Sequence, residues 1–267
     1  MTDIDRQYRT IWISDVHLGT RGCKAEFLLD FLRCTDARTI YLVGDIIDCW
    51  RLRRSWYWPQ THNDVIQKLL RKVRHGTQVI YVPGNHDEWL RQFASLNFGG
   101  VEVVEQAIHV TADGRRLLIM HGDWFDFIVT QARWLAALGD SAYAFSIWIN
   151  NHFNRIRHWL GYDYWSLSAF LKLKVKNAVQ YIGSFADALA EEARRRDLDG
   201  VVCGHIHHAE IRDVDGILYC NDGDWVESCT ALVEHFDGRL DIVNWAEERS
   251  LDMLKATRPG EVFVPAE

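Results

Sequence analysis

The sequence of 267 residues is long enough for one large core, with or without a smaller insertion. Its 48% hydrophobic and 25% charged residues exclude the disordered and fibrous classes. The chain has 30 Lys and Arg residues and 37 Asp and Glu residues, which gives a formal net charge of -7. This balance argues against a nucleic-acid partner, because neutralising phosphates requires a surplus of cations.

Short apolar runs rich in β-branched residues predict strands at 10–14, 39–44, 77–82, 101–105, 107–111 and 116–122. Helical spacing lies between the first three, in AEFLLDFLRC (25–34) and HNDVIQKLLRKV (62–73). Alternating strands and helices predict parallel pairing, and the closely spaced later strands predict an antiparallel addition. Strand patterns return at 200–205, 210–214, 216–221, 230–236 and 240–245.

Residues 124–198 differ from both flanks, since they show long helical periodicity and no strand pattern. We therefore predict a helical cap at 124–198, inserted into an α/β core formed by residues 1–123 and 199–267. The chain also has no run of 18 apolar residues, no apolar signal region and no C-x-x-C pair. These absences predict a cytoplasmic protein with reduced thiols and no membrane-spanning segment.

Polar clusters come directly after five predicted strands. They are D-V-H at 15–17, G-D-I-I-D at 44–48, G-N-H-D at 84–87, H-G-D at 121–123 and G-H-I-H at 204–207. Ligands bind at the carboxyl ends of the strands in an α/β sheet, so the clusters are expected to converge. Each alone is also typical of a turn or a helix cap, but the five together predict a metal site. The glycines before Asp45, Asn85 and His205 are expected to turn the backbone sharply.

The donor types in these clusters predict the ions. Carboxylate, imidazole and amide oxygen together suit Mn²⁺, Fe or Zn²⁺. Two separate groups of donors predict two divalent ions, with Mn²⁺ as the first expectation. A carboxylate such as Asp45 can bridge two ions about 3.5–4 Å apart.

The ordered set D-x-H, G-D-x-x-D, G-N-H-D, H-G-D and G-H-x-H resembles the calcineurin-like metallophosphoesterase superfamily. The resemblance implies a four-layered αββα sandwich and a hydroxide that bridges two metals as the nucleophile. It also implies that Asp15, His17, Asp45 and His207 hold one ion and that Asp45, Asn85, His121 and His205 hold the other.

By the same resemblance, His86 is the catalytic imidazole beside the scissile phosphate, where it stabilises the transition state or protonates the leaving oxygen. Asp48 and Asp87 either orient imidazoles by hydrogen bonds or stabilise turns. Asp123 either orients His121 or bonds to backbone.

Within the superfamily, the chain is similar to bacterial UDP-2,3-diacylglucosamine pyrophosphatases of the lipid A pathway. The shared features are G-D-I-I-D-C-W, L-I-M-H-G-D and an aromatic-rich helical segment before G-H-x-H. Enterobacterial members usually carry Arg in place of His86, and typically Arg-Pro after G-H-T-H. Their acidic loop also differs from the Arg-rich W-R-L-R-R-S-W-Y-W at 50–58. The resemblance therefore implies a divergent relative.

Basic residues offer further candidates for substrate binding. Arg51, Arg53 and Arg54 either meet a diphosphate or form a solvated basic loop. Lys172 and Lys176 either border a helix or reach a substrate phosphate. An apolar stripe in residues 134–153 either packs the cap onto the core or lines a groove for acyl chains.

We therefore predict a dinuclear-metal phosphoesterase that hydrolyses a nucleotide-diphosphate lipid, with peripheral contact to the inner face of the cytoplasmic membrane through the cap. One alternative is a phosphodiesterase or pyrophosphatase for a soluble nucleotide. A remote alternative is a non-catalytic interaction scaffold, which would predict lost ligands, whereas all seven ligand positions are filled.

Overall fold

The computed structural model describes residues 6–125 and 167–249, with side chains from residue 181 onward in the second range. The chain divides into two compact units, one of residues 1–123 and 192–267 and one of residues 124–191. Most of the second unit lies outside the described residues, and so does the larger part of the predicted cap (124–198). The cap therefore stays a prediction.

The described part includes the α-helices α1 (Ala25–Cys34), α2 (Cys49–Arg54), α3 (Gln60–Arg74) and α4 (Leu167–Arg195), and residues 245–249 are helical as well. Short 3-10 helices cover Glu88–Phe93 and Asp123–Phe125. The strands are β1 (Arg6–Ile13), β2 (Thr35–Val43), β3 (Gln78–Val82), β4 (Asn97–Phe98), β5 (Val101–Val103), β6 (Ala107–Val110), β7 (Arg116–Ile119), β8 (Gly200–Cys203), β9 (Glu210–Val214), β10 (Ile217–Asn221), β11 (Thr230–Glu234) and β12 (Leu240–Asn244). The predicted strands and the two predicted helices between the first three strands are confirmed.

The strands form two mixed sheets. The larger has the order β12-β11-β1-β2-β3-β5-β4, and the smaller has the order β6-β7-β8-β10-β9. Parallel pairing of β1 with β2 and of β2 with β3 confirms the prediction from the alternating helices. The antiparallel pair β6 and β7 confirms the predicted addition.

Alternate residues of the central strands face two different cores, as a period of two requires. One core joins the larger sheet to α1 and α3 and includes Ile11, Ile40, Val79, Leu28 and Val65. The second lies between the two sheets and includes Trp12, Tyr41, Ile80, Leu117 and Val202. Within it, Trp12 and Tyr41 stack at 5.9 Å between ring centroids. The predicted α/β fold is thereby confirmed.

Helix α2 is the element that the sequence did not predict. It begins after Asp48, whose Oδ1 accepts a hydrogen bond from the backbone N–H of Arg51 at 2.8 Å, as an N-cap does. Residues 51–54 are thus helical and do not form a loop, while the choice between diphosphate binding and solvation for their arginines stays a prediction. Among the described helices, none has both the length and the apolar character needed to cross a bilayer.

Candidate metal centre

Five of the seven predicted ligands have a left-handed backbone conformation. The φ angle is 49° at Asp15, 54° at His17, 55° at Asp45, 72° at His205 and 54° at His207. Residues other than glycine rarely adopt such angles, and those that do cluster at functional sites. The loops after β1 and β2 are joined by backbone hydrogen bonds, from Asp15 N to the carbonyl of residue 44 at 3.0 Å and from His17 N to Asp45 O at 2.9 Å.

The glycines in the motifs serve two different purposes. Gly44 has a φ of +82°, as a sharp turn requires. Gly84 and Gly204 do not lie in the left-handed region, so the expectation that they turn the backbone in this way is corrected. A Cβ on Gly84 would lie 2.7 Å from the His121 ring, and a Cβ on Gly204 would lie 2.5 Å from Asp15 Oδ2. These two glycines are needed because the ligand loops approach each other too closely for a side chain.

The candidate ligand side chains form three overlapping groups. Within each group the possible ligand atoms lie within 4.8 Å of one another. The groups are Asp15, His17 and His207; His17, Asp45 and His86; and Asp45, His121 and His205. Asp45 belongs to two groups, which is the position that a bridging carboxylate needs. His86 also lies within ligand distance, so the separation of ligand and catalyst stays a prediction.

The buried carboxylates and imidazoles of the centre shift each other's pKa values. Burial raises the pKa of Asp15, but the hydrogen bond from His207 and the charge of His121 outweigh it and bring the pKa below its usual range. Burial also raises the pKa of Asp45, but the charge and hydrogen bond of His121, together with the charge of His86, bring it below its usual range. Conversely, burial lowers the pKa of His121, while Asp45 and Asp15 raise it well above its usual range. The centre is thus a concentration of negative charge that cations stabilise.

Two further features fit divalent metal ions. His121 Nδ1 lies 2.7 Å from Val43 O, and donation to this carbonyl leaves Nε2 as the nitrogen that faces Asp45 at 3.4 Å. Asn85 Oδ1 is buried and has no hydrogen-bond partner among the described residues. A buried oxygen without a partner costs free energy, and coordination to a metal ion would give it one. The residues present therefore fit the donor set of Mn²⁺, Fe or Zn²⁺.

Asp48 lies between two imidazoles and also caps α2. Its Oδ2 is 3.3 Å from His17 Nδ1 and 3.1 Å from His86 Nδ1. Burial raises the pKa of Asp48, but the hydrogen bonds with His17 and His86 bring it below its usual range. The two roles that the sequence left open for this residue are thus both supported by contacts.

His86 stands at the accessible side of the centre, with 18% of its side chain exposed. Its Nε2 lies 4.0 Å from Asp45 Oδ2. Its ring centroid lies 4.7 Å from that of His17 and 4.4 Å from that of Trp50. An imidazole between the carboxylates and the exposed surface is placed to meet a substrate.

Asp87 stabilises the ligand loops through the backbone. Its fully buried carboxylate accepts hydrogen bonds from the Tyr81 hydroxyl at 2.5 Å and from the N–H groups of Gly84 at 2.6 Å and Ile46 at 2.8 Å. Of the two roles left open by the sequence, these contacts support turn stabilisation. The same carboxylate thus joins the loop of Asp45 to the loop of Asn85.

Asp123 makes its contacts with an arginine. Its two carboxylate oxygens accept from Arg91 Nη2 at 2.8 and 2.7 Å. His121 is oriented instead by the hydrogen bond that its Nδ1 donates to the Val43 carbonyl at 2.7 Å. The pair of Asp123 and Arg91 therefore fixes the start of the segment that follows the H-G-D motif.

The end of β10 and the residues after it make contacts in the site that the sequence motifs did not predict. Asn221 Nδ2 donates to the Gly204 carbonyl at 2.7 Å, which holds the G-H-I-H loop. Asp222 is fully buried and contacts Ser14 Oγ at 2.5 Å. A signal was present, since N-D-G-D at 221–224 is one more polar cluster directly after an apolar strand.

The predicted substrate residues belong to two helices. Arg51, Arg53 and Arg54 are exposed on α2, which begins directly after Asp48. Lys172 and Lys176 lie on α4, in the part where only the backbone is described. The apolar stripe at 134–153 lies outside the described residues.

Comparison with protein families identifies the fold and its motifs. Residues 8–209 match the model described as calcineurin-like phosphoesterase. The chain belongs to this family. The match spans all five polar clusters and confirms the superfamily resemblance of the sequence motifs.

Curated relatives of this phosphoesterase share a shorter region. The UDP-2,3-diacylglucosamine hydrolase of Chromohalobacter salexigens is 34% identical over 124 residues, which cover 43% of this chain and 46% of the relative. The hydrolase of the same name from Porphyromonas gingivalis is 26% identical over 117 residues, which cover 41% of this chain and 44% of the relative. The chain thus matches less than half the length of these relatives. Among solved structures, Yfce, a phosphoesterase from E. coli, is 14% identical, with a TM-score of 0.41 over 88% of this chain and 98% of that chain.

Proposed function

We propose that this phosphoesterase is a dinuclear-metal hydrolase that cleaves the phosphoanhydride of UDP-2,3-diacylglucosamine or of a related nucleotide-linked lipid. The observation that carries the proposal is the convergence of carboxylates and imidazoles in three overlapping groups, two of which contain Asp45. The substrate class is suggested by the similarity to hydrolases of UDP-2,3-diacylglucosamine. Because such a substrate carries acyl chains, we place the reaction at the inner face of the cytoplasmic membrane.

The ligand residues divide between two ions. Asp15, His17, Asp45 and His207 would hold one, and Asp45, Asn85, His121 and His205 would hold the other. When bound, the divalent ions supply positive charge against the phosphate oxygens and make water nucleophilic near neutral pH. Mn²⁺ is the proposed native ion, since the donor set combines carboxylates, imidazoles and one amide.

His86 acts on the phosphate from the accessible side. The carboxylate of Asp48 at 3.1 Å fixes its Nδ1, so that Nε2 faces the centre. A proton on Nε2 can then stabilise the developing charge on a phosphate oxygen or pass to the leaving oxygen. The exposed Arg51, Arg53 and Arg54 on α2 support recognition of a diphosphate, because guanidinium groups bind phosphate oxygens in pairs.

A second candidate is a phosphodiesterase or pyrophosphatase for a soluble nucleotide. His86 and the sequence His208-Ala209 after the last motif favour it, since they depart from the enterobacterial lipid enzymes. In this case the metal centre is the same, and only the substrate differs.

A substrate panel tests the proposal. The full chain is stripped of metal, reloaded with Mn²⁺ and incubated with UDP-2,3-diacylglucosamine, simple UDP-sugars, cyclic nucleotides and bis(p-nitrophenyl) phosphate. We expect UMP release from the acylated substrate at a higher kcat/KM than from simple UDP-sugars. Equal efficiency on both would refute the lipid substrate, and no hydrolysis by metal-loaded protein would refute the enzyme.

A further inference from the structure

Ser14, which precedes the ligand Asp15, has three acceptor oxygens around its hydroxyl but only one hydroxyl proton to donate. Its Oγ lies 2.6 Å from Asp15 Oδ2, 2.5 Å from Asp222 Oδ1 and 3.1 Å from Gly223 O. A serine hydroxyl donates one hydrogen bond. Both carboxyl groups are fully buried, and each has an oxygen within 2.6 Å of Ser14 Oγ, which has one proton to donate. One of the two must therefore carry a proton and donate it to Ser14 Oγ.

The surrounding donors decide which carboxyl group is neutral. Asp15 Oδ2 also accepts from His205 N at 2.7 Å, and Asp15 Oδ1 lies 3.1 Å from His207 Nε2. By contrast, Asp222 Oδ2 is buried without a hydrogen-bond partner among the described residues. A buried anion needs donors, whereas a neutral acid tolerates an unpaired carbonyl oxygen better. Burial accordingly raises the pKa of Asp222 well above its usual range, and the charge of Asp15 adds to the rise.

This arrangement fixes the orientation of Asp15. Oδ2 is held by Ser14 Oγ at 2.6 Å and by His205 N at 2.7 Å. Oδ1 faces two imidazoles of the candidate centre, with His17 Nε2 at 3.9 Å and His207 Nε2 at 3.1 Å. Oδ1 is therefore the oxygen left for a cation.

We propose that Asp222 is a positioning residue of the metal centre: as a neutral acid it donates to Ser14, Ser14 donates to Asp15 Oδ2, and Asp15 Oδ1 is thereby held toward the ion. The inference rests on the proposed metal centre, although it does not depend on which phosphoester is cleaved. Asp222 touches neither metal nor substrate and acts only through Ser14.

Three variants of the full chain test this role by Mn²⁺ affinity, measured by calorimetry on metal-stripped protein. Asp222→Asn keeps the shape and offers an N–H to Ser14, so its affinity should stay close to that of the wild type. Asp222→Ala and Ser14→Ala remove the contact and should weaken binding by about 10- to 100-fold, the loss typical when a partner of a metal ligand is removed. The infrared band of a protonated carboxyl should be present in the wild type and missing in Asp222→Asn.

Asp224→Asn is the matched control. Asp224 is also buried and lies in the same loop, but its Oδ1 accepts from Val226 N at 2.8 Å and from Glu227 N at 2.5 Å. Its Oδ2 accepts from Ser228 N at 3.4 Å, so both oxygens face N–H donors and an amide would turn its own donor toward one of them. Thermal unfolding should show a lower Tm for Asp224→Asn and an almost unchanged Tm for Asp222→Asn.

Two outcomes would overturn the inference. If Asp222→Asn bound Mn²⁺ as weakly as Asp222→Ala, Asp222 would act as an anion. If Asp222→Ala bound Mn²⁺ with wild-type affinity, Asp222 would have no positioning role. If Asp222→Ala does not fold, Ser14→Ala replaces it in the test, and wild-type Mn²⁺ affinity in Ser14→Ala would lead to the same conclusion. Wild-type protein that binds Mn²⁺ yet hydrolyses no substrate would refute the proposed function and leave the inference standing.

Discussion

Replacing Asp87 with Ala should destabilise the two loops that its carboxylate joins. The hydroxyl of Tyr81 and the N–H groups of Gly84 and Ile46 lie 2.5, 2.6 and 2.8 Å from it. Each buried donor left without an acceptor costs about 1–3 kcal/mol. Three such donors give about 3–9 kcal/mol, and we expect the lower part of this range, about 4 kcal/mol, because water can enter the space that the carboxylate leaves.

Urea unfolding of the metal-free chain measures this loss, read as a lower midpoint at an unchanged slope m. Tyr81→Phe is the matched control, since it removes one partner and should cost about 1 kcal/mol. Asp87→Asn keeps one acceptor oxygen and should fall between the two. A loss below about 1 kcal/mol for Asp87→Ala would refute the reasoning, because it would mean that the loops do not depend on this carboxylate.

Three further predictions concern catalysis, pH and metal. His86→Ala should lower turnover by about 10²- to 10⁴-fold and keep the Mn²⁺ content; parallel loss of metal would make His86 a ligand. Despite burial, hydrogen bonds from His109, Ala112 N and Arg9 hold the pKa of Glu234 at about 2, below the ordinary 4.5. The stabilisation is thus full above pH 4.5 and lost as the pH falls toward 2. The difference in unfolding free energy between wild type and Glu234→Gln should shrink over this window, and a constant difference would contradict it. Mn²⁺ at 100 times Kd should add about 2.7 kcal/mol to the unfolding free energy, and the same unfolding curve with Mn²⁺ and with chelator would speak against a native metal site.

The sequence predicted those elements whose side chains alternate between core and surface. Helix α1 spans the predicted 25–34, because its apolar stripe is complete within the helix. Strand β2 instead begins at Thr35 rather than 39, since its polar start pairs with β1 through contacts such as Arg6 with Thr35. Helix α2 buries no residue fully, so no apolar periodicity marked it. The start of β2 depends on long-range pairing with β1, and the start of α2 depends on the N-cap hydrogen bond of Asp48. Neither interaction is visible in the local sequence pattern.

Within the site, the sequence predicted the metal-ligand residues better than the side chains that contact them. The ligand types and their places at strand ends are local features, so the motifs located them. The contact of Ser14 with Asp222 joins residues 208 positions apart, and no spacing rule reveals it. Likewise, the need for glycine at Gly84 and Gly204 comes from the side chains of other loops, which only the folded chain brings near.

The left-handed backbone at five of the ligand positions determines how these ligands should be removed in experiments. Each such residue carries a conformational cost of about 1–3 kcal/mol, which hydrogen bonds such as Trp225 N to Asp15 O, at 3.1 Å, help to offset. Alanine in place of Asp15 or Asp45 would lose the donor and also disfavour the backbone. Asparagine tolerates the left-handed region, so Asp15→Asn and Asp45→Asn separate loss of charge from loss of loop geometry.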